Sequence, residues 1–132
     1  MSKTMHEVLA LDLKKNYPEG WMDEDEYVSE FYKLTEKFEI FRHGDTIFMV
    51  EHLPNNECEW HTKNAARGYD LADNFISFLE ELKSLGFKKA TTYFDNEKIF
   101  GVINSPKLAD YGLIVTRVDD GQFRTWKMEV AL

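Results

Sequence analysis

The chain has 132 residues, of which 43% are hydrophobic and 14% aromatic, with 3 prolines and 7 glycines. This length and composition fit one folded domain spanning residues 1–132 and exclude a disordered or collagen-like chain. The formal net charge of −8 comes from 24 acidic and 16 basic residues. A surface of that sign repels phosphate backbones, so no nucleic-acid partner is expected.

The cysteine content and the hydropathy pattern indicate the cellular compartment of the protein. Cys58 is the only cysteine, which excludes an internal disulfide and fits a reducing compartment. No window approaches the roughly 18 consecutive apolar residues of a membrane span. The opening MSKTMHEVLALDLKKN also lacks the apolar run and cleavage site of a signal peptide. The sequence therefore predicts a cytoplasmic protein without a membrane partner.

Two elements are expected near the N-terminus. The stretch LALDLKKN has apolar residues spaced for a short helix or for a strand entering one, and YPEG closes it with turn chemistry. Asp23 followed by Glu26 has the spacing of a capping box, which predicts a helix from about Glu24 to Lys37. The expected buried stripe of that helix consists of Tyr27, Val28, Phe31, Leu34 and Phe38.

Three strands are expected next. FEIFRH and TIFMVEHL flank a GD turn and are typical of an antiparallel hairpin, and PNN then leads to a third strand, ECEWHTK. The period of two places Glu57, Glu59 and His61 on one polar face of the third strand. Cys58 and Trp60 alternate with them and are expected to face the core.

A long amphipathic helix follows, from Tyr69 to Leu85, and Gly86 stands where a helix-ending glycine is expected. Its apolar residues recur at three- and four-residue spacing: Leu71, Phe75, Phe78, Leu79, Leu82 and Leu85.

The remaining third of the sequence predicts a strand, a short helix and a closing hairpin. KKATTYF is the strand, and DNEKIFGVIN is a short helix started by Asp95 or Asn96. The link SPKLADYG leads to LIVTRV, a DDG turn and FRTWKMEVAL, a hairpin with Trp126, Met128 and Val130 on one side. The whole order predicts an α/β fold with a mixed sheet, in which the central helix connects two neighbouring parallel strands.

Between the third strand and the long helix stands the turn KNAARG, from Lys63 to Gly68. Small residues let a backbone approach a ligand, and unpaired amides at a helix start attract phosphate oxygens. Ala66 and Gly68 are small, while Lys63 and Arg67 add positive charge.

This turn and the order of elements resemble the GNAT superfamily of acyl-CoA-dependent N-acetyltransferases. The resemblance covers most of the chain, beginning near Glu24. It implies a GNAT-like antiparallel meander, central helix and closing hairpin, with acetyl-CoA as cosubstrate. The acceptor would be an amine-bearing small molecule or protein, and a homodimer is a further expectation.

The resemblance assigns cofactor-binding positions. In the family, an Arg or Gln, two residues, Gly, one residue and then Gly or Ala bind the pyrophosphate. The matching positions here are Lys63, Asn64, Ala65, Ala66, Arg67 and Gly68. Asn96 matches an Asn that often contacts the pantetheine side.

The resemblance also assigns catalytic groups. Because the strand before the turn faces the acceptor in the family, Glu59 or Glu57 is the candidate general base. The family's tyrosine, which protonates the leaving thiolate, falls on Leu108 here. Tyr111 or Tyr93 would have to take its place.

Plainer interpretations stand beside these assignments. Glu57, Glu59 and His61 also fit a solvated strand face, and Glu59 with His61 lacks the third ligand of a metal site, so no metal is predicted. A second hypothesis is a degenerate member of the fold, with a viral origin. Such a protein would be an acidic binding or inhibitory module, or part of an assembly, without catalysis.

Overall fold

A computed structural model describes residues 3–119 and 124–132. The helices are α1 (Met5–Asn16), α2 (Glu24–Leu34), α3 (Gly68–Ser84) and α4 (Ile99–Ile103). The strands are β1 (Glu39–His43), β2 (Thr46–Leu53), β3 (Glu57–Asn64), β4 (Lys89–Phe94), β5 (Gly112–Asp119) and β6 (Arg124–Ala131). Short 3-10 turns lie at Pro54–Asn56 and Pro106–Leu108. The order is as predicted, and most of the expected DDG turn lies outside the described residues.

The strands form one six-stranded sheet in the order β1-β2-β3-β4-β6-β5. Neighbouring strands are antiparallel except β3 and β4, which are parallel. A parallel pair needs a long crossover, which α3 supplies, whereas an antiparallel pair needs only a short turn. The predicted mixed α/β fold is thus confirmed.

One face of the sheet packs against α3 and α4. On α3, Phe78 is fully buried and stacks on Phe48 of β2, with 4.0 Å between ring centroids. Trp60 of β3 packs against Phe75, with 5.6 Å between centroids. These contacts hold α3 against β2 and β3 through the apolar faces that the alternation in β3 and the helical period in α3 predicted.

Helices α1 and α2 cover part of the opposite face. Their buried residues meet β2 and the residue after β3 in one cluster: Val8, Leu9, Tyr27, Phe31, Ile47, Met49 and Ala65. Among the described residues, this cluster takes no member from β4, β5 or β6. The sheet face formed by those three strands and the start of β3 therefore stays open, and it is called the open face below.

The predicted start and end of the second helix need correction. Asp23 is the N-cap of α2, but its side chain makes no cap hydrogen bond, so the predicted capping box with Glu26 is wrong. The helix ends at Leu34 rather than Lys37, and the Leu34 side chain is exposed. The Thr35 hydroxyl bonds the carbonyl of Tyr32 instead, at 2.7 Å. A capping box is present at α1, between Thr4 and Glu7.

Two further boundaries differ from the prediction. Leu85 is the C-cap of α3 and is 55% exposed, so it leaves the buried stripe. Helix α4 begins at Ile99 rather than directly after Asp95 or Asn96. The Asn96 side chain accepts the N–H of Lys98 at 3.0 Å and forms a separate turn ahead of the helix.

Candidate functional site

Strands β3 and β4 pair over only part of their length. Their register comprises three pairs, Glu57 with Lys89, Cys58 with Ala90, and Glu59 with Thr91. Beyond this point β3 continues along β2 and β4 along β6, so the two strands separate within the sheet. The separation leaves an opening that starts at the level of Glu59.

The edge of β3 that borders this opening carries free backbone groups. The Thr92 hydroxyl donates to the Trp60 carbonyl at 2.7 Å, which shows that this carbonyl points towards β4. Because backbone groups two residues apart in a strand point the same way, the N–H and C=O of Thr62 also point into the opening. Thr62 has no partner on β4 among the described residues. Its groups are therefore available to a ligand that can form backbone hydrogen bonds.

The turn after β3 is held by the side chain of Asn64 and by one backbone hydrogen bond. Asn64 accepts the N–H of Ala66 at 3.0 Å and donates to the Ala66 carbonyl at 2.9 Å. The N–H of Ala65 donates to the carbonyl of Asp45 at 3.0 Å. Both amides are therefore occupied within the protein.

The next four backbone amides are not occupied in this way. The N–H groups of Arg67, Gly68, Tyr69 and Asp70 find no acceptor among the described residues, and Arg67 caps α3 without a side-chain bond. Such amides at the start of a 17-residue helix carry partial positive charge and suit an anion. The Asp70 carboxylate lies in the same turn and opposes an anion there.

A cleft of about 630 Å³ borders this helix start. It lies between α3 and the segment that includes α4, and two lysines line it, Lys98 and Lys107. Lys107 pairs with Asp73 at 2.8 Å, and that bond raises the pKa of the lysine. The sequence analysis missed both lysines, because only the folded chain brings residues 98 and 107 to the start of α3.

The side chain of Lys63, a predicted phosphate contact, does not lie at the start of α3. Its ammonium group donates to the Tyr27 hydroxyl at 2.9 Å and lies 4.8 Å from the centre of the Tyr27 ring. Burial lowers the pKa of Lys63, and the negative charge of Asp12 opposes this shift. The side chain thus points to the α1–α2 side of the sheet and away from the amides of Arg67 to Asp70.

The open face holds the predicted candidate bases. Glu57 pairs with Lys89 at 3.8 Å, and Lys89 pairs with Glu129 at 3.1 Å. Glu59 lies between Glu51 of β2 and Thr91 of β4 and has no ion-pair partner among the described residues. Glu59 is therefore the carboxylate at the start of the opening that is not committed to a neighbouring cation.

Tyr111 and Tyr93, the predicted substitutes for the missing tyrosine, lie in different parts of the fold. The Tyr111 hydroxyl donates to Glu80, and burial together with that bond raises the pKa of Tyr111 to about 12. Glu80 lies twelve residues after Gly68, about 18 Å further along α3 at 1.5 Å per residue. Tyr93 is 47% exposed, near the end of β4. Leu108, in the family's tyrosine position, is buried at 2% exposure.

The other chemical candidates are accounted for by packing. Cys58 is fully buried, and burial raises the pKa of its thiol to about 11, so it stays protonated at neutral pH. His61 is exposed and packs edge-on against Phe38, with 5.6 Å between ring centroids. Within residues 3–119 and 124–132, no three His, Cys, Asp or Glu side chains come together as a metal site would require. No helix in those ranges is long and apolar enough to span a bilayer.

Comparisons with known proteins bear on the fold. No family model and no curated protein sequence matches the chain. A probable acetyltransferase of the GNAT family from Chromobacterium violaceum superposes with a TM-score of 0.62 at 9% identity, over 95% of this chain and 79% of that one. A ribosomal-protein-alanine N-acetyltransferase from Brucella melitensis gives 0.57 at 12% identity, over 100% and 98%.

A third similar structure was solved with a ligand. The phosphinothricin acetyltransferase from Sinorhizobium meliloti, in complex with AcCoA, gives a TM-score of 0.55 at 13% identity, over 100% of this chain and 86% of that one. At these identities the likeness establishes the architecture only. The fold of this chain is that of the GNAT acetyltransferases.

Proposed function

We propose that the protein is an acyl-CoA-dependent N-acetyltransferase that moves the acetyl group of acetyl-CoA to an amine. The observation that carries this proposal is the opening between β3 and β4, which begins at Glu59, together with the amides of Arg67 to Asp70, which find no acceptor among the described residues and follow closely after the end of β3. It combines an extended slot for a thioester arm with an anion-binding helix start. The shared fold and the AcCoA complex of a similar structure support the same reading.

The residues present fit the phosphate groups of such a cosubstrate. Four consecutive amides find no acceptor among the described residues, and Lys98 and Lys107 line the adjacent cleft. An ideal Cβ at Gly68 meets no atom within 4 Å, so a ligand can approach the backbone there. Lys98 and Arg67 oppose the adverse charge of Asp70, whereas Lys107 already pairs with Asp73.

Glu59 is proposed as the general base. It would take a proton from the attacking amine, directly or through water, while the amine nitrogen forms a bond to the thioester carbonyl carbon. The carbon–sulfur bond then breaks, and CoA leaves as a thiolate that water protonates. In this proposal the N–H of Thr62 would donate to the carbonyl oxygen as its negative charge develops. Glu51, opposite Glu59, would attract a protonated amine to this face.

A non-catalytic binding protein is the second candidate. Three observations favour it: Asn64 occupies the Ala66 amide, Lys63 turns away from the helix start, and Leu108 replaces the tyrosine that serves as acid in the family. Such a protein would retain the fold without turning over acetyl-CoA. Cofactor binding and turnover separate the two candidates.

Calorimetric titration with acetyl-CoA tests the proposal. The wild type is expected to show saturable binding, and Gly68→Asp is expected to weaken it at least about tenfold, because the new carboxylate stands beside the phosphates. Gly68→Ala is the matched control: it adds a methyl group without a charge and keeps the amide, so it should lower the affinity less than Gly68→Asp does.

Absence of binding in the wild type up to about 1 mM acetyl-CoA, which corresponds to an affinity weaker than roughly 4 kcal/mol, would contradict the proposal. Equal binding by wild type and Gly68→Asp would show that the helix start does not hold the cosubstrate.

A further inference from the structure

A buried polar network lies beneath the turn, between α1, α2 and the end of β3. Asp12 of α1 is 4% exposed, and its carboxylate accepts the Tyr27 hydroxyl at 2.5 Å and the backbone N–H of Asn64 at 3.0 Å. Asn16 donates to the same carboxylate from within α1, at 2.9 Å. Burying a carboxylate is costly unless donors surround it, and the proposed chemistry makes no use of Asp12.

Asn64 connects this carboxylate to the turn. Its N–H reaches Asp12, while its side chain holds both polar backbone groups of Ala66, the donor at 3.0 Å and the acceptor at 2.9 Å. An asparagine side chain can bond a nearby backbone in this way and impose a local turn. The Asn64 side chain thus restrains the turn between β3 and α3, together with the backbone bond from Ala65 to Asp45.

The same side chain is tied to β2 and α3. The Thr46 hydroxyl, fully buried, donates to Oδ1 of Asn64 at 2.7 Å, and Asn74 of α3 donates to the Thr46 hydroxyl at 3.0 Å. Gly44 leaves room for Asn74, because a Cβ at Gly44 would stand 2.8 Å from its Oδ1 atom. The network therefore fixes the first half of α3 relative to the end of β3.

We propose that Asn64 and Asp12 are positioning residues that hold the turn in the shape that receives the diphosphate of an acyl-CoA cosubstrate. The inference rests on the proposed function. Since Asn64 occupies both groups of Ala66, the diphosphate is left with the amides of Arg67 to Asp70, and the direction of these amides follows from the turn that Asn64 sets. Asp12 acts through Asn64 by holding its N–H.

The network also limits the charge that the diphosphate meets. Lys63 bonds the Tyr27 hydroxyl, which bonds Asp12, so one cation accompanies the buried carboxylate. A lone carboxylate beneath the helix start would repel the diphosphate, whereas the pair is neutral overall. This role accounts for a lysine that turns away from the helix start.

Two substitutions and two ligands test the inference. Asn64→Ala removes the side chain that holds Ala66, and Asn16→Ala is the matched control, since it removes an asparagine bonded to the same carboxylate. Acetyl-CoA is compared with S-acetylpantetheine, a thioester without the diphosphate. Asn64→Ala should weaken acetyl-CoA binding about tenfold or more and leave the affinity for S-acetylpantetheine unchanged, whereas Asn16→Ala should leave both unchanged.

A second readout needs no ligand. Hydrogen exchange of the Ala66 amide should be slow in the wild type and in Asn16→Ala but fast in Asn64→Ala, because the Asn64 side chain accepts that N–H. Thr46→Val removes just the hydroxyl that holds Asn64 and should change binding in the same direction. It provides the comparison if Asn64→Ala does not fold.

The outcomes separate the two proposals. Failure of the wild type to bind acetyl-CoA would overturn the proposed function and the ligand assigned here. Normal wild-type binding that Asn64→Ala leaves unchanged, or that it weakens equally for both thioesters, would overturn only the positioning role.

Discussion

Glu59 and Glu51 stand directly opposite each other on neighbouring strands. Of these two, only Glu59 lies beside β4, where the strands begin to separate, so only Glu59 borders the opening proposed to receive the thioester. Like charges in opposite positions of a sheet are mildly destabilising, which a cationic acceptor between them would relieve.

Replacement of Glu59 therefore tests its proposed role as the general base. Glu59→Gln should lower kcat roughly 10²- to 10⁴-fold, the range for loss of a general base, while the Kd for acetyl-CoA stays unchanged. Glu51→Gln is the control and should affect the KM of a cationic acceptor more than kcat. Steady-state kinetics with an amine acceptor provides both values. Equal kcat in Glu59→Gln and the wild type would remove Glu59 from the chemistry.

Local residue patterns predicted the positions of some side chains but not of others. The period of two placed Cys58 and Trp60 in the core because alternation alone decides a strand's faces. The same alternation could not predict where the ammonium group of Lys63 lies. That group bonds Tyr27, which bonds the buried Asp12, rather than contacting the nearby turn. Contacts between residues 52 positions apart in the chain, such as the bond from the Asn64 N–H to Asp12, have no local signature.

At the scale of elements, α3 ends in a Schellman motif. The N–H of Phe87 donates to the carbonyl of Leu82, and the N–H of Gly86 to that of Lys83, both at 3.1 Å. Gly86 has φ +93°, which a side chain makes unfavourable. The glycine after a periodic apolar run predicted this end correctly, whereas α2 lacks such a residue and its end was predicted three residues too late.

Gly86→Ala should accordingly lower the free energy of unfolding by about 1 to 2 kcal/mol, the cost of a left-handed conformation for an L-residue. Urea denaturation followed by circular dichroism measures the change. Gly101→Ala, in α4 at a position with open space for a methyl group, is the control and should leave stability equal or slightly higher. Equal stability of Gly86→Ala and wild type would mean that this motif does not determine the end of α3.

At the scale of the whole molecule, the order of elements was predictable because each has its own local period or turn. The mixed sheet followed from that order, since a helix between two strands favours a parallel pair. The separation of β3 from β4 was not predictable, because it depends on which residues of two distant strands pair. Nor was the position of Lys98 and Lys107 at the start of α3, which tertiary packing determines.

The central claim is that the opening between β3 and β4 and the start of α3 form one acetyl-CoA site, and NMR titration of the 132-residue protein with acetyl-CoA tests it most directly. The account predicts saturable shifts of the amides of Thr62 and of Arg67 to Tyr69, with Phe41 of the edge strand β1 unchanged. Shifts confined to other surfaces, or none at about 1 mM ligand, would contradict it.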